Sequence, residues 1–399
     1  MTDRTILISG AGIAGTALAY WLRRHGFAPT VVERAPAVRE GGYKVDIRGA
    51  ALEVVRRMGV LDEIRRERTD VRRGSVVDAA GRRVASMDGD SFGGRSDEDA
   101  EILRGDLNRI LYDLTKDDAE YLFDTSIAAV AETAEGVSVT FDTGETRAFD
   151  LVVGADGLHS VTRRLAFGPE EDYIRDLGYY VSIFSVPNHL GLDREELTYV
   201  SPGRTTLMYS TAKDSGAKAM FLFAGAPQEY DRRDRARQQS ILAGAYAEDA
   251  WEVPRLLSEM SAAPDFYFDT LSQVHMDRWS KGRVVLLGDA GYCASPASGQ
   301  GTSLALVGAY VLAGELAAAG GGHEAGFDRY EKEMRHYTDE NQKLGPQNVK
   351  HMVLGSRWLI RFQMTMLRVM PHMPGKDRVI AKILEPIHKA ANAIALKDY

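Results

Sequence analysis

Three glycines near the start of the chain, Gly10, Gly12 and Gly15, stand in a G-x-G-x-x-G pattern. A turn of this kind lets backbone approach a ligand closely and opens a helix whose free N–H groups attract phosphate. The pattern is common by itself, and its surroundings make it specific. Arg4 to Ser9 form a short run with no polar face, as a strand buried on both sides would. Ala14, Ala17, Leu18, Trp21 and Leu22 follow at helical spacing until Gly26. A second strand-like run begins at Pro29 and ends at Glu33, eighteen residues after Gly15, where a carboxylate can accept from an adenosine ribose. Gly10 then makes the tight turn, Gly12 admits a pyrophosphate, and Gly15 lets helix and strand approach. The implied chemistry is dinucleotide binding. NAD and FAD present the same adenosine and pyrophosphate to such a turn, so the motif leaves both open.

Two further glycine turns follow buried-type strands. Asp150 to Gly154 leads into Ala155-Asp156-Gly157 and a helix start with Ser160 as its cap. Gly282 to Leu287 leads into Gly288-Asp289, then Pro296-Ala-Ser-Gly299-Gln300-Gly301 and a small-residue helix over 302–319. That helix N-terminus is a second place where backbone N–H groups can meet anionic or oxygen-rich groups. The chain shows no Ser-His-Asp arrangement and no metal-ligand spacing; His275, His323, His336 and His351 are scattered. Cys293, the only cysteine, has no neighbour that would activate it and reads as a small packing residue.

The elements that must position these turns come in a mixed order. The stretch 35–49, with Gly41-Gly42 and several charges, reads as a loop; it either covers a ligand or is a solvated connection. A helix at 50–58 and a hairpin at 71–87 follow. An acidic loop at 88–99, a short strand at 100–104 and a helix at 105–116 come next, before strands return. The region 178–225 is β-rich and alternating. The tail from Phe327 is helical. Its Arg357, Arg361 and Arg368 share one face, while Met352, Leu359, Phe362 and Met366 line another. Such a helix can lie on a membrane, but an apolar stripe more commonly faces its own protein, and packing is the favoured reading.

With 399 residues the chain is long enough for two or three lobes. A net charge of −8 and no basic tail argue against a general nucleic-acid binder. One cysteine, no signal peptide and no transmembrane run point to a cytoplasmic protein. Nothing in the sequence sets its oligomeric state.

The three motifs in this order resemble those of the class A flavoprotein monooxygenases, the family of para-hydroxybenzoate hydroxylase. The resemblance covers about residues 4–335. Gly41-Gly42 with Asp46, and Leu103-Arg104 with Leu107, are most similar to the tetracycline-inactivating monooxygenases and their actinobacterial relatives. It implies an α/β fold: a Rossmann-like FAD-binding domain, an inserted β-sheet substrate domain and a C-terminal helical segment. The expected boundaries are 1–70, 98–172 and 277–335 for the FAD domain, 71–97 and 173–276 for the substrate domain, and 336–399 for the helices. It implies FAD contacts at Gly10, Gly12, Ala14, Gly15, Glu33, Arg34, Asp46, Arg104, Asp156, Asp289, Pro296, Gly299, Gln300 and Gly301, and an NADPH contact at Arg39. Tyr292, Ser303 and Val307 depart from a histidine, an asparagine and an aspartate frequent in the family.

The implied activity is a monooxygenase that uses NADPH or NADH and O2 to hydroxylate a small aromatic or polycyclic compound through a flavin C4a-hydroperoxide. The flavin carries the chemistry, so no catalytic side chain is singled out. Tyr180, Phe184, Met208, Met220 and Leu222 are the candidate substrate lining; ordinary sheet packing explains the same residues equally well. A flavin-dependent double-bond reductase of the same fold, a flavin halogenase and a non-enzymatic flavoprotein are the alternatives. A disulfide reductase is excluded by the missing cysteine pair.

Overall fold

The computed structural model describes residues 4–39, 41–96, 98–213, 215–228, 230–369, 373 and 375–399. The chain opens with β1 (Thr5–Ser9), α1 (Ile13–Arg24), β2 (Ala28–Val32), β3 (Lys44–Ile47), α2 (Ala50–Arg57) and α3 (Leu61–Arg66). Next are β4 (Arg73–Val77), β5 (Arg83–Asp88), α4 (Gly89–Gly93), β6 (Ala100–Leu103) and α5 (Arg104–Asp113). Then come β7 (Glu120–Leu122), β8 (Ile127–Glu132), β9 (Val137–Phe141), β10 (Thr146–Phe149), β11 (Leu151–Gly154) and α6 (Val161–Ala166). The β-rich region supplies β12 (Ile174–Val186), β13 (Glu195–Ser201), β14 (Arg204–Tyr209) and β15 (Ala217–Ala224), followed by α7 (Arg235–Ala245), α8 (Val253–Glu259) and β16 (Tyr267–Val274). The chain ends with β17 (Ser280–Lys281), β18 (Val284–Leu286), α9 (Asp289–Tyr292), α10 (Gly301–Ala318), α11 (His323–Met352), α12 (Arg357–Val369) and α13 (Lys376–Ala391).

Two large sheets organise these elements. The first has the order β17-β18-β11-β1-β2-β7, with β18, β11, β1, β2 and β7 parallel. Its central strands are buried on both faces, which is why they read as continuous apolar runs. α1 and α10 pack together on one side of it, with the Trp21 and Tyr310 rings edge to face at 4.8 Å. α10 is long and apolar enough to cross a membrane, but 78% of it is buried here as a core helix. The second sheet has the order β16-β12-β15-β14-β13-β4-β5, so the 71–97 and 173–276 segments build one sheet.

Several loop expectations are corrected. The stretch 35–49 contains β3, which pairs antiparallel with β6, Asp46 opposite Glu101. The acidic 88–99 stretch contains α4, capped by the Asp88 carboxylate accepting from Ser91 N–H. α11 runs unbroken through residue 336, so the flavin-side helices and the tail share one helix. The C-terminus docks back on the core. Tyr399 donates to Glu315 at 2.8 Å, and Lys397 donates to the same carboxylate at 2.7 Å. α12, in contrast, has no fully buried residue: its underside packs near β5 and β13, but the stripe of Leu359, Phe362 and Met366 is exposed, against the expectation that this stripe faces its own protein.

Candidate functional site

The β1–α1 turn is held from several sides. Gly10 has φ +105° and donates its N–H to Val32. A side chain there would meet the Ala155 carbonyl at 2.6 Å, and one at Gly15 would meet the Gly10 carbonyl at 1.9 Å. Protein contacts alone therefore require glycine at both positions. Gly12 is different. Its φ of −80° suits any residue, and a Cβ there would meet only Arg104 Nη2 at 3.8 Å. Nothing in the protein needs Gly12 to be small, so its small size leaves room for a ligand. No side chain caps α1, which leaves its first N–H groups facing that space.

Glu33, at the end of β2, accepts from Ala11 N–H at 3.0 Å and from Ala35 N–H at 2.9 Å, with its carboxylate beside the glycine turn. Asn108 on α5 donates to the Ala11 carbonyl at 2.9 Å and fixes the same turn. Arg104 opens α5 and lies against Gly12 and Gly42. Across the space, a Cβ at Gly301 would meet only Asp289 Oδ1, at 3.9 Å, while Gly288 abuts the Ala14 methyl. Asp289 is exposed to this crevice although protein surrounds it, and that desolvation raises its carboxyl above the usual aspartate range. Gln300 is fully buried with both amide atoms unpartnered. Pro296 and Gly299 face outward in the turn before α10.

A glycine turn with spare room, a helix N-terminus, an acid at the second strand and a buried unpartnered amide together fit an FAD dinucleotide. Tyr43 and Tyr267 stand at the crevice as well, with ring centroids 6.3 Å apart. Burial raises both hydroxyls, and Arg104 opposes the shift in each. Neither tyrosine was legible as a site residue; Tyr43 carries no motif, and Tyr267 is 224 positions away in sequence.

Three expected contacts are placed differently. The Asp156 carboxylate accepts from Thr162 N–H at 2.9 Å, Thr162 Oγ1 at 3.0 Å, Ser9 Oγ at 3.3 Å and Ser160 Oγ. It ties α6 to β1. Asp46 lies in β3, ion-paired to Arg48 at 2.7 Å and near Arg95 at 3.6 Å, not on a free loop. The substrate-lining set is split by strand register. Tyr180, Phe184 and Met208 are fully buried with Phe221, Phe223, Leu242 and Leu256 beneath α7 and α8. Met220 and Leu222 lie on the opposite face with Val181, Leu207 and Tyr179, against Ala297 of the glycine turn and Val349 of α11.

One cluster joins the second turn to the second sheet. His159 Nδ1 is 3.0 Å from Glu170 Oε2, and Nε2 is 3.1 Å from Asp269 Oδ2. Tyr267 donates to that Asp269 carboxylate at 3.2 Å. The two carboxylates outweigh burial and raise the His159 pKa, while Glu170 is held down to about 2 against its own desolvation by His159 and Arg232. The signal for this contact was a histidine inside the Asp156-Gly157 motif, but its partners lie on other elements.

A family model described as an FAD binding domain matches residues 3–342. The chain belongs to this family. A flavin-dependent monooxygenase of Legionella longbeachae is 42% identical over 340 residues, which cover 85% of this chain and 87% of that one. The crystal structure of the tetracycline destructase Tet(51) superposes with a TM-score of 0.87 at 37% identity, covering all of both chains. Klebsiella pneumoniae HpxO, solved with FAD and uric acid, shares the fold at a TM-score of 0.73 and 21% identity, with 96% of each chain covered. The protein is thus an FAD-dependent monooxygenase and an oxidoreductase. The halogenase, reductase and non-enzymatic readings give way to it.

Proposed function

We propose that this monooxygenase takes electrons from NADPH or NADH and, with O2, hydroxylates an aromatic or polycyclic compound related in shape to the tetracyclines. The observation that carries the reading is the margin of the apolar face of β12, β14 and β15 that the protein leaves partly uncovered. Tyr179, Leu207 and Met220 are only partly buried there, in the same cluster as Ala297 of the turn that opens α10. A face of this composition suits a ring system better than a charged metabolite.

When bound, FAD supplies the redox and oxygen chemistry. Gly12 and the α1 N-terminus would hold its pyrophosphate, and Glu33 its adenosine ribose. Arg104 and Asp289 would bind the chain between pyrophosphate and ring. The backbone of 299–301 would lie beside the ring itself. Arg39 and Arg34 are exposed near Glu33, and Arg104 is charged alongside them. That concentration of cations supports binding of a phosphate-bearing nicotinamide donor at the mouth. The Tyr43 hydroxyl, protonated at neutral pH as a phenol ordinarily is, would be able to donate to a substrate oxygen. α11 closes the far side of the apolar face through Val349 and limits water there.

The test is NADPH oxidation by the FAD-loaded enzyme with a panel of tetracyclines, polyketides and phenols, under isotopically labelled O2. The expected result is substrate-stimulated NADPH consumption and one labelled oxygen atom in the product. NADPH consumption that yields only hydrogen peroxide with every compound, or none at all, would overturn the proposal.

A further inference from the structure

α12 leaves one apolar face uncovered. Ile360, Gln363, Met364 and Leu367 form its half-buried underside, near β5 and β13. The outward face carries Trp358 at 70% exposure, Phe362 at 56%, and Leu359, Met366 and Val369 also exposed. The two aromatic rings stack on each other, 5.8 Å between centroids and 10° between planes. Beside this apolar strip, on one flank and spaced four and then seven residues apart, stand Arg357, Arg361 and Arg368, all exposed. Among the described residues no carboxylate pairs with any of the three. α13 continues the pattern with exposed Val379 and Ile383 beside Arg378 and Lys382.

Charge narrows the occupant. Residues 357–391 hold seven Lys or Arg against two Asp or Glu, in a chain whose net charge is −8. An antiparallel symmetric dimer through this patch would set each arginine flank against its own copy, and like charges in register oppose association; a parallel one would set it against the apolar opposite flank of its copy. A nucleic acid would match the arginines but leave Leu359, Met366 and Val369 without an apolar partner. A surface that is anionic at the level of the arginines and apolar just beneath satisfies both halves of the face.

We propose that α12 and the exposed edge of α13 form a docking surface for anionic phospholipid, with α12 lying in the plane of the interface. Trp358 and Phe362 insert below the headgroups, and Arg357, Arg361 and Arg368 meet the phosphates. The stems of the arginines run along the apolar strip, as long cationic side chains do at such boundaries.

The test uses the full-length FAD-loaded protein and vesicles of phosphatidylcholine with or without 30 mol% phosphatidylglycerol, a fraction of about one lipid in three chosen to give a strong surface charge. Bound fraction is read by flotation, and oligomeric mass by light scattering without lipid. The expected result is at least about tenfold stronger binding to the anionic vesicles, weakened by salt. Arg357→Gln/Arg361→Gln/Arg368→Gln should lose about fivefold or more, the scale of removing even one cation near the surface. Trp358→Ser/Phe362→Ser should also lose binding, with its flavin spectrum and thermal midpoint unchanged. Equal binding to both vesicle types, binding to neither, tighter binding to duplex DNA, or a dimer that Trp358→Ser/Phe362→Ser dissolves would each overturn the proposal.

Discussion

Gly12 and Gly15 belong to one motif but answer to different partners, and substitution should separate them. Gly12→Ser places a residue preferred at helix N-caps on a backbone with φ −80°, where a Cβ meets nothing closer than 3.8 Å. The apo-protein should therefore keep its stability within about 0.5 kcal/mol. In a chain of this size that is a shift in Tm of about 2 °C or less. The new side chain does occupy the space proposed for a pyrophosphate, so FAD affinity should fall about 10- to 100-fold, or about 1.4–2.8 kcal/mol. Gly15→Ala does the reverse. Its methyl would lie 1.9 Å from the Gly10 carbonyl oxygen and 3.2 Å from Ile8 Cγ2, an overlap that the close helix–strand approach cannot relieve locally. Its cost should reach about 4 kcal/mol or more, enough to abolish folding. The assays are a thermal melt of apo-protein and a titration of FAD fluorescence. Wild-type FAD affinity in Gly12→Ser would refute the argument, as would an apo-protein destabilised as much as Gly15→Ala.

Three more outcomes follow from the geometry. Glu33→Ala should weaken FAD retention through dialysis by about 1–3 kcal/mol, the scale of a hydrogen bond to a charged group; unchanged retention would count against Glu33 as the ribose acceptor. The clamp on His159 should be pH-dependent. Its folded pKa is raised, so its stabilisation is complete below the ordinary histidine value of about 6.5 and is lost as pH rises through the folded value. The Tm should then fall between pH 6 and pH 8 by more in wild type than in His159→Gln, and parallel profiles would refute it. Glu101 joins Lys44 at 3.2 Å and Arg95 in a buried network, with Glu196 on Lys44 at 2.6 Å and Asp90 on Arg95 at 3.0 Å. Glu101→Ala should cost about 3 kcal/mol in urea unfolding, the low end for a broken buried pair, because each cation keeps a partner; a loss under about 1 kcal/mol would mean water already screens the site.

The sequence by itself determined the dinucleotide turn and its flanking strands, because both are local. Glycine positions, a run buried on both faces and an acid at the next strand end all lie within residues 4–33. It also determined the order of the three glycine motifs, and with them the family. Tertiary structure alone decided which neighbours each residue meets. Gly12 and Gly15 look equivalent until Ala155, Arg104 and the Gly10 carbonyl are placed around them. Tyr180 and Leu222 look alike because both faces of the second sheet are covered, one by α7 and α8, the other by α11 and the 296–301 turn. Alternation along a strand marks two faces but cannot say which faces a ligand. Asp156 stands in a glycine turn, and only the fold shows that its carboxylate also holds Ser9, Ser160 and Thr162. The stripe on α12 has the same helical period as a core-facing helix. Period reports that an apolar face exists, and only the packing of the rest of the chain decides whether anything covers it.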